Sequence, residues 1–495
     1  MRPELEGPLP HPRTSLFAKR VSDSLNRLSP LVPPDLPCSD LLERIRQAGA
    51  TSAVVVNDRR QPLGIVTERD IARRIAFKVG PGTPVNRVMT SPVYTIEAGD
   101  YLYQAIGRML KLGVRHLPVL DGRGHVKGML EFDESLVGAA GRTLDHIRQL
   151  TVEDGIEAIG RIRGAQASLA EDLLEEGLAV VEIQRLITHV NQEIYARVAR
   201  RQLQLMSEAG WGSPPVGYCL LVMGSSGRGE NFFHPDQDHG LILDDYSDAD
   251  HDRIDGYFQS FSDGLIRDLE TIGFARDSNY VMCLNPMWRK TLSQWKAQTC
   301  LWAGRGSATA MRLADIFFDF QPVIGDVRLA QQLRGHIRAL AMQNPKLLQS
   351  MLLAHEEHGV GLGLFGGFIT MGSDSEFRGH INVKNTGLLP LISALRLLAL
   401  KHGVTATGTV ERIEALRVMG VMDSEEFREV KTSSDFLADL ILRHQLEGLK
   451  RGETPNYYIH PDSLDRARAA GLKRALATIR RLRDRVRADL TGDVL

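Results

Sequence analysis

Apolar positions along the chain change period several times, and each change predicts an element. Between 41 and 136 the pattern occurs twice. In the first copy an apolar helix (Leu41 to Ala48) precedes Thr51-Ser-Ala-Val-Val-Val56, a polar turn at Asn57-Asp58, and Gly64-Ile-Val-Thr67-Glu-Arg-Asp70-Ile71. In the second, a helix (Tyr103 to Leu112) precedes His116-Leu-Pro-Val-Leu120, a turn at Asp121-Gly122, and Gly128-Met-Leu-Glu131-Phe-Asp-Glu134. Each copy reads as helix, β-hairpin and second helix, at a period of about sixty residues. A unit that cannot bury its own apolar face packs against its twin. From 137 to 210 the period becomes helical: Leu174, Leu178 and Val181, then Ile183, Ile187, Val190 and Ile194, mark buried faces. The stretch GWGSPP (210–215) is the one hinge-like break.

The next stretch is different in kind. An apolar run from Cys219 to Met223 ends in Gly224-Ser225, Asp236-Gln237-Asp238 follows, and Gly240 to Leu243 is apolar again. This predicts a strand, a Gly/Ser turn opening a helix, a loop, and a strand carrying two carboxylates. Residues two apart on a strand share a face, so Asp236 and Asp238 converge. Hard cations such as Mg2+ seek oxygen ligands of this type and leave positions for phosphate oxygens. A Gly/Ser turn with a hydroxyl and free backbone N–H groups suits phosphate. The spacing resembles the signature of the DNA polymerase β-like nucleotidyltransferases.

Beyond this motif a polar helix is expected from Asp250 to Ile272, followed by Cys283 to Lys290, and Asp315-Ile-Phe-Phe-Asp319-Phe-Gln-Pro322 reads as a strand. The class requires a third carboxylate on a neighbouring strand. Asp319 faces away from Phe318 and Phe320 and lies in a run resembling the third strand of the glutamine-synthetase adenylyltransferases, with Asp315 as the alternative.

GIVTERDI (64–71), VMTSPVYTI (88–96) and RHLPVLD (115–121) resemble a tandem pair of CBS domains, the Bateman module. That resemblance implies an adenosine nucleotide in the cleft between copies, with Thr67 and Asp70 on its phosphate and ribose. A carboxylate can accept both hydrogen bonds of a vicinal diol. Glu131 and Glu134 stand at the matching positions of the second copy, and Glu131 would repel phosphate, so one competent site is expected. The alternative is a pair that only holds a dimer together.

Composition narrows the class. The 495 residues suggest about three domains, and 43% hydrophobic content suffices for packed cores. A net charge of −1 gives no electrostatic case for nucleic acid or an anionic membrane. The cysteines Cys38, Cys219, Cys283 and Cys300 lack metal-ligand spacing and fit reduced thiols in a cytoplasm. The N-terminus has acids and prolines where a signal peptide needs an apolar core. The most apolar later stretch, Leu388 to Leu400, holds Pro390 and Arg396 and is too short to span a bilayer. Gly361, Gly363 and Gly366 spell GxGxxG without a βαβ unit, so a closely packed loop is expected. His355 and His358 lack further zinc ligands, and Leu472, Leu476, Ile479, Leu482 and Val486 mark an amphipathic helix.

Taken together, GSSGRGE (224–230), DQD (236–238), NPMWRK (285–290), FFDF (317–320) and RHQLEGLKRGETPN (443–456) resemble bacterial signal-transduction proteins. These join CBS domains to a nucleotidyltransferase domain and its substrate-binding domain, and their nearest relatives of known chemistry are the PII uridylyltransferases. Relatives usually have an acid at Ser226, Gln at Asn231 and Asn at His239. The resemblance implies a multidomain α/β protein: an N-terminal extension (1–30), a CBS pair (31–140), a helical linker (141–210), a polymerase β-like α/β domain (211–340) and a C-terminal helical bundle (345–495). It implies transfer of a nucleoside monophosphate from an NTP to an acceptor, a protein being one candidate, by a homodimeric cytoplasmic enzyme under control of the CBS ligand. Asp236, Asp238 and Asp319 would hold two Mg2+ ions. Gly224, Ser225 and Arg228 would bind the triphosphate, and Lys384, Arg443, His444 and Gln445 would contact the acceptor. The alternative is a nucleotide sensor without turnover.

Overall fold

The computed structural model describes residues 20–25, 29–76, 78–132, 155–277, 279–305, 307–355, 359–363 and 365–492. They form two compact units, the described residues within 1–165 and 175–178 and those within 166–174 and 179–495.

The first unit contains the repeat. Strands β1 (Leu31–Val32), β2 (Ser52–Val56) and β3 (Pro62–Thr67) form one sheet, and β4 (Ile96–Glu97), β5 (His116–Leu120) and β6 (Val126–Glu131) another. In both, a short strand runs parallel to the first arm of an antiparallel hairpin, and the register shifts at the same step, Val55/Val56 and Val119/Leu120. Helices α1 (Cys38–Ala48) and α2 (Leu102–Leu112) each end on a left-handed glycine, Gly49 (φ 60) and Gly113 (φ 64). Only glycine adopts that conformation without steric cost.

All of β2 is buried, because its two faces serve different cores. Ala53 and Val55 pack with Leu41 and Ile45 of their own copy. Val54, Val56 and Ile65 pack with Val126 and Met129 of the other. The second helix of copy one is short, Glu68–Asp70 continuing into Ile71–Ile75, while that of copy two, with Glu134, lies outside the described residues.

The second unit is built on a four-stranded sheet of order β10-β7-β8-β9, from β7 (Tyr218–Val222), β8 (His239–Leu243), β9 (Arg289–Thr291) and β10 (Gln321–Gly325). Strands β8 and β9 are parallel and the other two pairs antiparallel. Helix α3 (Ile156–Glu175), whose residues are divided between the two units, precedes α4 (Val180–Glu208), in which Ile183, Ile187, Val190 and Ile194 are all buried. A one-turn helix α5 (Gly224–Arg228) follows β7, and the expected polar helix is α6 (His251–Thr271). Helices α7 (Leu292–Arg305) and α8 (Ala308–Phe318) add an aromatic cluster in which Trp295 stacks on Phe317 at 4.2 Å. The Trp295 indole N–H donates to the Leu241 carbonyl at 2.9 Å and so ties this cluster to β8.

Residues 315–318 are helical, which corrects the strand expected from Asp315 to Pro322. Ser307 caps α8 by accepting the Ala310 N–H, and Met311, Ala314 and Phe317 are fully buried at helical spacing. That stripe outweighs the short alternation around Asp319, and the strand begins only at Gln321.

Helices α9 (Val327–Gln343) and α10 (Pro345–His355) lead to α11 (Leu389–Lys401), whose residues from Pro390 to Leu400 are all buried. The apolar run at 388–400 is thus the core helix of a bundle. It packs against α10, α12 (Thr409–Val418) and α14 (Arg466–Thr491), α13 (Ser424–Lys450) packs on α12 and α14, and α14 buries the five apolar residues expected of it. Strands β11 (Ile381–Asn382) and β12 (Tyr458–Ile459) pair antiparallel beside it. Gly361, Gly363 and Gly366 lie in a loop closed by a Leu362–Phe368 bridge. No helix among the described residues is long and apolar enough to cross a membrane.

Candidate active site

The site is assembled at the edge of β7 and β8. Past Val222 the chain enters α5 through Gly224 at φ 57, and Gly229 at φ 79 closes it by donating to the Ser225 carbonyl. Close approach fixes two of the glycines. A Cβ on Gly224 would lie 2.8 Å from Asp238 Oδ2, and one on Gly227 would lie 1.8 Å from the Asp319 carbonyl oxygen. The turn is therefore pressed against both aspartates: a larger residue at Gly227 would have to displace main chain, and one at Gly224 would push aside the Asp238 carboxylate and strain a left-handed backbone. Asp236 and Asp238 lie in extended chain just before β8. The Met223 N–H donates to the Asp238 carbonyl at 2.9 Å, Gln237 N–H to Ala275 and His239 N–H to Val281. Asp236 is exposed, Gln237 buried, Asp238 half-buried and His239 buried, which is the period-two alternation that turns both carboxylates to one open face.

Crowding of acids dominates the electrostatics. Burial, then the charges of Asp277 and Asp236, push Asp238 up to about 7 against the opposing charges of Lys384 and Arg228. Asp236 is also raised, by burial and by Asp277, with Lys384 opposing. The sequence reading had missed Asp277, because it belongs to no strand pattern. Its carboxylate accepts the N–H groups of Asn279 (3.0 Å) and Val281 (2.9 Å), which folds the loop back beside the two acids. Tyr280 in that loop holds φ 56, a conformation rare for a non-glycine residue. His239 is a brace: burial holds it neutral, lowered to about 3. Its Nδ1 accepts the Cys283 N–H, which leaves Nε2–H to donate to Gln237 Oε1 at 3.3 Å.

Among the described residues no three His, Cys, Asp or Glu side chains form a ready metal cage. Mg2+ does not need one, since it is usually held by one or two carboxylates with phosphate oxygens and water completing the shell. Two raised carboxylates on one open face fit that requirement.

Asp319, expected as the third metal ligand, is engaged by arginines. It is fully buried, and its carboxylate accepts from Arg228 (3.2 Å), from Arg396 (2.5 Å) and from Arg412 (2.5 Å). Asp315 pairs with Arg396 as well. With its oxygens taken by three guanidinium groups, Asp319 neutralises a buried cluster that links α5 to α11 and α12. Arg228 is diverted too: it also binds Glu230 at 2.8 Å, so its guanidinium is already spent on carboxylates.

Of the four residues expected to contact an acceptor, only Lys384 lines the cleft beside Ser225, and its charge opposes the rise of both Asp236 and Asp238. Arg443 is exposed and bound to Asp439, and His444 contacts Asn456. Gln445 is buried, accepts the Phe233 N–H and donates to the Asn456 carbonyl, so it clamps the loop before Asp236. Ser226, Asn231 and His239 are internal. The Ser226 hydroxyl donates to Asn231, whose own N–H donates to Thr188. A cleft beside Ser225 is lined by Arg228, Phe232, Lys384, Thr409 and Tyr457.

In the first unit Thr67 and Asp70 are together. Asp70 is buried and accepts from the Thr67 N–H (3.0 Å), the Thr67 hydroxyl (2.8 Å) and the Thr90 hydroxyl (3.0 Å). At the matching place Glu131 accepts from the Thr51 hydroxyl at 2.9 Å, and that hydroxyl also contacts His116.

Comparison with known proteins matches four stretches of the chain. Residues 26–77 and 85–133 match the CBS domain family, and residues 164–309 match the family described as "Putative nucleotidyltransferase DUF294". Residues 345–490 match the "Putative nucleotidyltransferase substrate binding domain". An uncharacterized protein of Methanopyrus kandleri is 30% identical over 99 residues, 20% of this chain and 50% of its own length. A glycine betaine/carnitine/choline transport ATP-binding protein of Bacillus subtilis is 28% identical over 114 residues, 23% of this chain and 28% of its own. The chain thus spans half or less of the length of these two relatives. A CBS domain protein of Pyrobaculum aerophilum, solved in complex with AMP, is 22% identical over 24% of this chain and 97% of its own, with a TM-score of 0.23.

Proposed function

Because this chain joins tandem CBS domains to a nucleotidyltransferase domain of the DUF294 family and its C-terminal companion domain, we propose that it transfers a nucleoside monophosphate from an NTP to an acceptor hydroxyl. The observation that carries this reading is the approach of Asp238 to Gly224, where even a Cβ would meet its carboxylate, with Asp236 on the same open face. A triphosphate seated on Ser225 and the turn would lie directly beside the two acids. Mg2+ held by Asp236 and Asp238 would offset phosphate charge and help align attacking and leaving oxygens. The acceptor oxygen would bond to the α-phosphorus as the bond to the bridging oxygen breaks, with the hydroxyl proton passing to water and pyrophosphate leaving. Asp319 would act through the arginines that set the turn, and His239, Gln237 and Gln445 would hold the acidic segment in place.

Lysate incubated with α-labelled ATP or UTP and Mg2+ tests this reading, with a protein acceptor as the first class to examine. Label should transfer in the presence of the wild-type chain. It should be absent with the Asp236→Asn/Asp238→Asn double variant, which should remain folded because neutralising two crowded acids removes repulsion. The engagement of Asp319 by arginines favours one second reading, a nucleotide sensor without turnover. That reading would show Mg2+-dependent NTP binding but no labelled acceptor.

We propose further that the CBS pair takes one adenosine nucleotide, with Asp70 exchanging its Thr90 contact for the ribose hydroxyls.

A further inference from the structure

The cleft beside Ser225 contains three cations with different surroundings. Arg185 is paired with Glu182 and Glu411, and Arg228 with Glu230 and Asp319. Lys384 has no carboxylate within ion-pair distance among the described residues. Its ammonium instead rests over the Tyr457 ring, 4.4 Å from the centroid. The backbone that presents it is firmly set: Val383 N–H donates to the Tyr457 carbonyl, Asn385 N–H to Asn382 Oδ1, and the Thr386 hydroxyl to the Asn382 carbonyl. Lys384 is half-buried, lines the same cleft as Ser225, and its charge is felt by both Asp236 and Asp238. An anion seated in this cleft would find an ammonium that no carboxylate among the described residues neutralises and that only an aromatic ring holds, and a flexible lysine is well suited to bind phosphate as a point charge.

We propose that Lys384 binds the polyphosphate of the incoming nucleotide, so that the nucleotide is gripped jointly by the glycine turn and by the C-terminal region. This inference rests on the nucleotidyltransferase reading above. It gives the C-terminal region a part in holding the nucleotide as well as the acceptor. Before nucleotide binds, the ammonium partly offsets the charge of the two acids; on binding, it follows the phosphates.

The test uses the full chain with Mg2+ and inorganic tripolyphosphate, a probe that the adenosine-seeking CBS pair should ignore, alongside UTP. Lys384→Met should weaken tripolyphosphate and UTP binding by about tenfold or more, whereas Lys384→Arg should keep most of it. Mn2+ alone, followed by electron paramagnetic resonance, should bind Lys384→Met at least as tightly as wild type, since a competing cation has been removed. A purely structural role would not produce that opposition. A folded Lys384→Met protein that binds tripolyphosphate as wild type does would overturn the inference and leave the enzymatic reading intact. Parallel loss of Mn2+ and tripolyphosphate would also overturn it, because Lys384 would then be only a prop. A wild-type chain that binds neither tripolyphosphate nor UTP would overturn the reading on which the inference rests.

Discussion

Two aspartates near one turn have opposite surroundings and should respond oppositely to substitution. Asp319 is fully buried among Arg228, Arg396 and Arg412. Asp319→Asn leaves guanidinium charge uncompensated in the interior and should destabilise the second unit by about 3–5 kcal/mol in denaturant unfolding. The Mn2+ affinity of the fraction that remains folded should not change. Asp238 is raised from an ordinary 3.8 to about 7, first by burial and then by Asp277 and Asp236. A carboxylate whose native value is raised opposes folding once it ionises, and that opposition grows as pH rises from about 4 through about 7. In metal-free protein Asp238→Asn should therefore raise Tm more at about pH 8 than at about pH 5. An equal gain at both would mean that Asp238 ionises without hindrance in the native state.

Among the elements, the five-residue helix α5 depends most on close packing. Gly227 touches the backbone of Asp319, where a Cβ would come within 1.8 Å of the carbonyl oxygen. Gly227→Ala must displace main chain and should cost at least about 1–3 kcal/mol of stability, together with NTP binding. Retained NTP affinity would show that the turn can shift freely. In the CBS repeat, Thr67 and Asp70 are opposed by Glu131, so calorimetry should find one adenosine nucleotide per pair. Asp70→Ala should weaken it by about 1–3 kcal/mol. Two equivalent sites would place the pocket elsewhere. The repeat was legible in the sequence down to matched turns, because β2 and β5 carry contiguous apolar runs bounded by polar turns. Helix α8 was not, since Asp315 to Phe320 alternates over too few residues to separate a strand from a helical stripe anchored further back at Met311.

For the whole molecule, the proposed function, with a CBS pair on the same chain as a domain matching a nucleotidyltransferase family, predicts coupling. An adenosine nucleotide on the first unit should change NTP affinity in the second, by about 1–3 kcal/mol, and NTP should change adenosine affinity by the same factor. Measuring CBS-ligand affinity in the full chain with and without a non-hydrolysable NTP and Mg2+ checks this. Identical values with both sites filled would leave the pair without a regulatory role at equilibrium.

The sequence by itself determined the features that depend on near neighbours. The twin hairpins, the glycine turn after β7 and the shared face of Asp236 and Asp238 all follow from periods of two to four residues and from the conformational freedom of glycine. The tertiary structure alone decided which charges meet. Asp319 is separated from Arg228, Arg396 and Arg412 by 91, 77 and 93 residues. Nothing local distinguishes a carboxylate that will face an open cleft from one that will be enclosed by guanidinium groups. For the same reason Asp277 and Lys384 could not be assigned to the acid pair beforehand. Partner choice among buried charges is set by burial and by packing between distant segments, and these exist only once the chain is folded.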